Sequence, residues 1–369
     1  MNQRQHILFI NHTREFHGAE RVLVESIRIA KTMGYRVTVV VPNIVADNGF
    51  EKECTPYCDE LIRLSYRGGG IHLWRTLAVL LYNIPALWRL YKYVHNEQVT
   101  CIYSNTYVTL IGSILAHCTH CKHIWHFHEM PNKGFGWHSS MCIIYRRLIT
   151  ASNNQIIFIS HQQQQAWLQT LNCTFRYDVV YNPLHRIVID SKDTHTAIRV
   201  GYLGSFEPRK NLACLIQVME SICTTNPQVE LWLCGAQNKD EIRQLYAQTT
   251  LSQAQLHVLP ATKDVDSFYT QIDIFVLPSL YETMPLVALE AKQAGVCVIQ
   301  TNQSGLTELL EDKKDCYFFT PTNQHQLKQL IQHCLDIEIR DQIAQQGQQT
   351  VLHILQNHPY HKQIESLFS

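Results

Sequence analysis

Between Asp273 and Glu311 two short apolar runs, Ile274–Leu277 and Val296–Ile299, bracket a single helical pattern, and few folds accommodate that order. Runs this short and uniformly apolar suit strands covered on both faces, and parallel neighbours need a helical crossover between them. Pro278-Ser279 ends the first run. Pro285 suits the first helical position, where its missing N–H would be unpaired anyway, and Gly295 stops the helix. The stretch therefore reads as a βαβ unit, with Glu282 in the loop at the carboxyl end of the first strand and Glu290 just past the first helical turn. The N–H groups of Leu286, Val287 and Ala288 are expected to form an anion site flanked by these two carboxylates.

A chain of 369 residues exceeds what one core usually supports, so two domains of about 180 residues are expected. Residues 1–183 are assigned to the first domain, 184–196 to a linker with charges and Ser/Thr, 197–355 to the second domain and 356–369 to a terminal helix. Lys+Arg and Asp+Glu balance at 31 each. With no basic stripe interleaved with aromatics outside 72–95, nucleic acid is not expected as a partner. Thirteen Cys scattered through apolar segments look like reduced thiols rather than a disulfide framework. Met1 leads almost directly into an apolar strand, so no signal peptide is expected and the location is read as cytoplasmic.

The first half opens with a strand over 6–11, a loop to Gly18-Ala19-Glu20, an amphipathic helix ended by Gly34 and a strand from Arg36 to Val41. No G-x-G-x-x-G is present, which weakens a dinucleotide-oxidoreductase reading. After the Arg67–Gly70 hinge, residues 72–95 carry Trp74, Leu77, Leu81, Trp88 and Tyr91 with Arg75, Arg89 and Lys92 interspersed, and Pro85 divides them. The run is too interrupted to span a membrane. It reads either as a helix pair covering the first sheet or as a face that docks on a lipid surface. Cys118, Cys121 and His123 have zinc-like spacing, but no second C-x2-C pair exists and a connecting loop is the default. Ser104 and Asn105 end one strand and are expected to face a ligand cleft. Alternation places His126 and His128 on one side of the next strand and Phe127 on the other. A pair of hydrogen-bonded structural histidines is the alternative reading for them. Phe135 to Ala151 reads as a loop and helix, Ser160 as a helix cap, and Gln162–Gln165 as an exposed helix face.

In the second half, a strand from Ile198 ends at Gly204, followed by Arg209 and Lys210 at a helix entry. Helix dipole, backbone N–H groups and two side-chain cations together suit a diphosphate. Glu230–Gly235 is a further strand ending in a glycine turn. Asp264-Val265-Asp266 lies at a helix entry and is expected to cap rather than ligate, so no metal site is assigned.

The sequence Pro-Ser-x-x-Glu-x-x-Pro-Leu-x-x-x-Glu-Ala, set between the two apolar runs and closed by Gly295, resembles the donor-site signature of the family-4 glycosyltransferases. That resemblance implies an α/β chain of the GT-B fold: two Rossmann-like domains facing across a cleft, with the terminal helix crossing back to the first. It implies a retaining, metal-independent hexosyltransferase that needs no cofactor and uses a nucleotide-diphosphate sugar as donor. The acceptor would be a hydroxyl of a glycan or lipid-linked molecule in cell-surface polysaccharide or lipopolysaccharide assembly, at or near the cytoplasmic face of the membrane. By the same resemblance Glu282 lies by the donor sugar and Glu290 holds the ribose. Gly204, Arg209, Lys210, Pro285, Leu286 and Val287 face the diphosphate, and Gly235 passes the base. Gly18 and Ala19 form the N-terminal loop, and His128, with His126 second, contacts the transferring sugar. The family has an Arg directly after the strand-end glycine, where this chain has Ser205; Arg209 is the candidate replacement. Two other readings stay open: a nucleotide-sugar epimerase or hydrolase of the same fold, and a catalytically silent subunit.

Overall fold

The computed structural model describes residues 5–44, 48–69, 73–131, 141–151, 153–184, 187 and 195–369. Gly70, His72, the Phe135 end of the loop before Ala151 and most of the 184–196 stretch lie outside the described residues. The chain forms two compact units, Met1–Pro183 together with His358–Ser369, and Leu184–Asn357.

The first unit runs β1 (His6–Ile10), α1 (Gly18–Thr32), β2 (Arg36–Pro42), α2 (Gly49–Cys54), β3 (Glu60–Leu64), α3 (Leu73–Tyr82), α4 (Ile84–Asn96), β4 (Cys101–Asn105), α5 (Leu110–Thr119), β5 (Lys122–Phe127), α6 (Met141–Ile149), β6 (Asn154–Phe158), α7 (His161–Leu171) and β7 (Tyr177–Val179). Its seven strands pair in parallel in the order β3-β2-β1-β4-β5-β6-β7. Every residue of β1 is buried because successive side chains feed two layers. Ile7 and Phe9 pack with Val22, Leu23 and Ile27 of α1. Leu8 and Ile10 pack with Leu90 and Val94 of α4 and Leu115 of α5. This two-sided burial is why the strand reads as an unbroken apolar run.

The second unit runs β8 (Ile198–Leu203), α8 (Leu212–Thr225), β9 (Val229–Ala236), α9 (Lys239–Ala247), β10 (Leu256–Pro260), α10 (Val265–Thr270), β11 (Ile274–Leu277), α11 (Leu286–Gln293), β12 (Cys297–Thr301), β13 (Tyr317–Phe319), α12 (Gln324–His333) and α13 (Ile337–Asn357). Its six strands are parallel in the order β10-β9-β8-β11-β12-β13. A last helix, α14 (Tyr360–Phe368), belongs to the first unit and places Tyr360, Ile364 and Phe368 in the same core as Phe9 and Tyr103.

Both sheets share one topology, in which the chain reverses direction of growth beside its first strand. The crevice at the carboxyl ends of β1 and β4, and of β8 and β11, is where open α/β sheets bind ligands. Local chemistry sets the helix boundaries. Pro85 stands in the first turn of α4, and Asn83 between α3 and α4 accepts from the Arg67 N–H and donates to the Arg67 carbonyl, both at 2.9 Å. The expectation of an exposed face over Gln162–Gln165 is corrected: Gln163 and Gln164 are buried. Gln163 accepts from the Ile159 N–H at 2.8 Å and donates to the Glu129 carbonyl at 3.0 Å, satisfying strand-end groups that water cannot reach.

Candidate active site

At the second unit's crevice the loops after β8 and β11 are tied together by the backbone. The Leu280 N–H donates to the Arg209 carbonyl at 2.9 Å, and Asn211 Nδ2 donates to the Pro278 carbonyl at 3.1 Å. Pro208–Lys210 is a single 3-10 turn, and α8 begins only after Asn211. This frame places Lys210 Nζ 2.7 Å from Glu282 Oε1, which also accepts from Ser279 Oγ at 2.7 Å. Arg209 Nη1 lies 3.7 Å from Glu282 Oε2, while its Nε donates to Glu207 Oε2 at 2.9 Å. The Glu282 backbone is fixed from the loop after β12: its N–H donates to the Gln303 carbonyl at 2.8 Å and its carbonyl accepts from Gly305 at 3.1 Å. Lys210 and Glu282 are largely buried, and Arg209 is half-exposed. An ammonium has three donors, so Lys210 can hold Glu282 and still offer a proton to an anion.

Two positions differ from the sequence reading. Pro285 is the cap before α11, in extended conformation (φ −75°, ψ 103°), rather than the first helical residue. Its carbonyl accepts from the Ala288 N–H at 3.3 Å, so one of the three N–H groups expected to face an anion is already engaged. Glu290 is buried, and the one hydrogen of the Tyr269 hydroxyl is shared between the Val287 carbonyl at 3.0 Å and Glu290 Oε2 at 3.3 Å. Tyr269 and Ser279 were invisible to the sequence reading, because no spacing rule links a residue of α10, or a serine beside a proline, to these carboxylates. Asp264 caps α10 by accepting from the Ser267 N–H at 3.1 Å.

Gly204 and Gly235 meet where β8 and β9 end. Both have positive φ (152° and 141°), and a side chain on Gly235 would run into the Gly204 carbonyl. Neither tolerates a Cβ at low cost. The opposite holds at Gly18: it opens α1, and a Cβ there would meet open space. Packing within the chain does not demand a glycine at that position. Ala19 follows on the half-exposed first turn.

The first unit's crevice holds a buried polar cluster. His126 at the end of β5 and His128 just past it lie with ring centroids 4.2 Å apart. His128 Nε2 is 3.0 Å from Asn105 Oδ1, and Asn105 Nδ2 donates to Asn11 Oδ1 at 2.9 Å and to Glu20 Oε1 at 3.3 Å. The His17 N–H donates to Glu20 Oε2 at 3.3 Å, joining the start of α1 to the cluster. Burial drives the His128 pKa down to about 3, with a smaller contribution from His12, so the ring is neutral. Burial acts in the opposite sense on Glu129, whose pKa rises to about 7. His126 is wholly buried, with Nδ1 2.6 Å from the Tyr103 hydroxyl and no hydrogen-bond partner for Nε2 among the described residues. From Tyr103 the chain of hydroxyls continues through Ser26 (3.2 Å) to Tyr360 of α14 (2.7 Å).

The expectation that Ser104 faces a cleft is also corrected. Ser104 Oγ is 2.9 Å from His123 Nε2, and His123 Nδ1 is 2.7 Å from Asn154 Oδ1, so both side chains serve the core. Cys121 donates its thiol hydrogen to the Val99 carbonyl at 3.2 Å and Cys118 is exposed, so Cys118, Cys121 and His123 are committed to different surroundings. No group of three or more potential metal ligands occurs among the described residues.

Comparison with known proteins matches residues 16–185 to the profile of Glycosyltransferase Family 4 and residues 189–350 to that of Glycosyl transferases group 1. An uncharacterized glycosyltransferase of Haemophilus influenzae is 24% identical over 180 residues, covering 48% of this chain and 50% of the relative. The chain therefore spans about half the length of that curated relative. The N,N'-diacetylbacillosaminyl-diphospho-undecaprenol alpha-1,3-N-acetylgalactosaminyltransferase of Campylobacter jejuni is 30% identical over 108 residues, 29% of each chain. Among solved structures, HepE of Anabaena in complex with UDP superposes with a TM-score of 0.79 over 99% of each chain at 21% identity, which establishes a shared fold.

Proposed function

The chain belongs to the family-4 glycosyltransferases and has their GT-B fold, and from that premise we propose that it moves a hexose-type sugar from a nucleotide-diphosphate donor to a hydroxyl of a lipid-linked or cell-surface glycan, with retention of configuration. The observation that carries this reading is the convergence of Lys210 and Glu282 at the switch point of the second sheet. As the sugar leaves, negative charge grows on the diphosphate, and preorganised donors aimed at it lower the barrier without reorganising. Lys210, Arg209 and the first turn of α11 are proposed to supply that field without a divalent metal. Glu290, oriented by Tyr269, is proposed to accept from the ribose hydroxyls. Glu282 is proposed to lie by the sugar, and His128 to contact it.

The Campylobacter relative's name describes a lipid-diphosphate acceptor, and this motivates a lipid-linked acceptor here. No helix among the described residues is long and apolar enough to cross a membrane. The outer face of α3 and α4 is proposed instead to rest on an anionic bilayer. Trp74 (81% exposed) and Trp88 (59%) stand out from it with Leu81, Tyr82 and Ile84. Lys92 Nζ sits 3.5 Å over the Trp88 ring, and no Asp or Glu occurs between Glu60 and Glu97. Exposed aromatics with unopposed cations suit an interface of that charge.

Calorimetric titration against a panel of nucleoside diphosphates and nucleotide sugars, with and without chelator, tests the donor assignment. Selective, chelator-insensitive binding that disappears in Lys210→Ala is expected. Metal-dependent binding, or binding indifferent to Lys210, would overturn it.

A further inference from the structure

The cluster around His128 contains an amide whose orientation is forced. Asn11 Nδ2 donates to the Thr13 carbonyl at 3.0 Å, so Asn11 must turn Oδ1 toward Asn105. Asn105 must answer with its NH2 group, which also reaches Glu20 Oε1. Turning Asn105 over would set its oxygen against the Asn11 oxygen inside a site where Asn11 and Asn105 are wholly buried and no water can compensate. Asn105 Oδ1 therefore faces His128 Nε2 at 3.0 Å and, having no hydrogen, can only accept. Which ring nitrogen of a histidine carries the proton is set by the hydrogen bond that the other partner demands.

We infer that Asn105 is a positioning residue that holds His128 as the Nε2–H tautomer and leaves Nδ1 as a hydrogen-bond acceptor for a hydroxyl of the transferred sugar. The sugar half of this inference rests on the proposed contact between His128 and the sugar; the tautomer half stands on the amide geometry alone. In this arrangement His128 has no proton to give from Nδ1, so its part is to orient a hydroxyl donor rather than to protonate the leaving group. Glu20 and Asn11 take part through Asn105, which links the start of α1 to the end of β5. A sequence cannot show this, because the four residues come from separate segments.

Heteronuclear NMR of the nitrogen-labelled full chain reads the tautomer directly, with the His128 signals identified by their loss in His128→Gln. Near neutral pH the wild type is expected to show a protonated Nε2 and a bare Nδ1. Asn105→Asp keeps an acceptor oxygen and should preserve that pattern. Asn105→Leu removes the acceptor and should give a mixture of tautomers, with turnover falling by up to about 100-fold. A protonated Nδ1 in the wild type would overturn the inference even if neither variant folds. An unchanged tautomer in Asn105→Leu would do the same. Full turnover by His128→Gln alongside an Nε2–H wild type would remove the sugar contact and leave the tautomer control standing.

Discussion

Lys210 Nζ donates to Glu282 Oε1 at 2.7 Å across two loops that meet at the switch point of the second sheet. The pair does more than neutralise itself, because Ser279 takes part of the Glu282 charge and Arg209 approaches the other oxygen. The ammonium therefore keeps a free direction toward any phosphate bound beside it.

Lys210→Ala is accordingly expected to lower kcat/KM by about 100- to 1000-fold, as loss of a single donor to a developing anion does elsewhere. Arg209 is half-exposed and shared with Glu207, so Arg209→Ala should cost about tenfold at most. Initial rates with the donor identified by calorimetry decide this. A larger loss at Arg209 than at Lys210 would reverse the proposed roles.

Glu129 provides a prediction whose sign depends on pH. Its folded pKa, raised to about 7 by burial, lies above the unfolded value, so the protonated acid favours folding at low pH and the benefit is lost as pH rises through about 7. Glu129→Gln, which cannot ionise, should therefore be more stable than the wild type at about pH 8 and nearly equal to it at about pH 4. Thermal unfolding followed across that range measures the difference. A gap independent of pH would show that Glu129 does not titrate as a buried acid.

The lipid-facing assignment of α3 and α4 predicts flotation with vesicles rich in anionic phospholipid and little with zwitterionic ones. Each basic residue near such a surface contributes on the order of 1 kcal/mol. Charge reversal at Arg75, Arg89 and Lys92 together should abolish binding, and Trp74→Ser with Trp88→Ser should weaken it at any ionic strength. Equal flotation of wild type and the charge-reversed variant would exclude this face.

Within the second unit Lys292 is wholly buried, with Nζ 3.3 Å from Asp315 Oδ1; Asp315 also holds Thr350 Oγ1 at 3.0 Å. Removing one partner leaves a charge in the core, so Asp315→Ala should destabilise this unit by about 3–5 kcal/mol in urea unfolding. The exposed Arg243–Asp240 pair is the control. Asp240→Ala should move the transition by less than about 1 kcal/mol.

The strands were legible because two-sided burial leaves a plain mark: β1, β2 and β11 are runs in which nearly every side chain is apolar. The candidate donor site was legible for a different reason. Lys210 and Glu282 each sit at a fixed offset from the end of a strand, and parallel topology brings such ends together. What stayed hidden are the supports. Tyr269 reaches Glu290 from another helix, Gln163 joins the loop after β5 to the end of β6, and Asn105 gathers partners from three other segments. No period or motif encodes contacts of that kind. Pro285 shows a smaller failure: its fixed φ suits a helix start, but ψ is decided by how the loop before it is anchored.

The position of α14 governs when the first unit can be completed on the ribosome. Tyr360 and Phe368 fill a seam against Tyr103 and Phe9, yet they emerge only after the whole second unit has been translated. At about 5–20 residues per second that delay is on the order of ten to thirty seconds. During it the first sheet carries an uncovered apolar strip in an otherwise nearly complete body. A released chain truncated after Asn357 should therefore hold a folded second unit and a sticky, unsealed first one, the state in which a chaperone has most to grip.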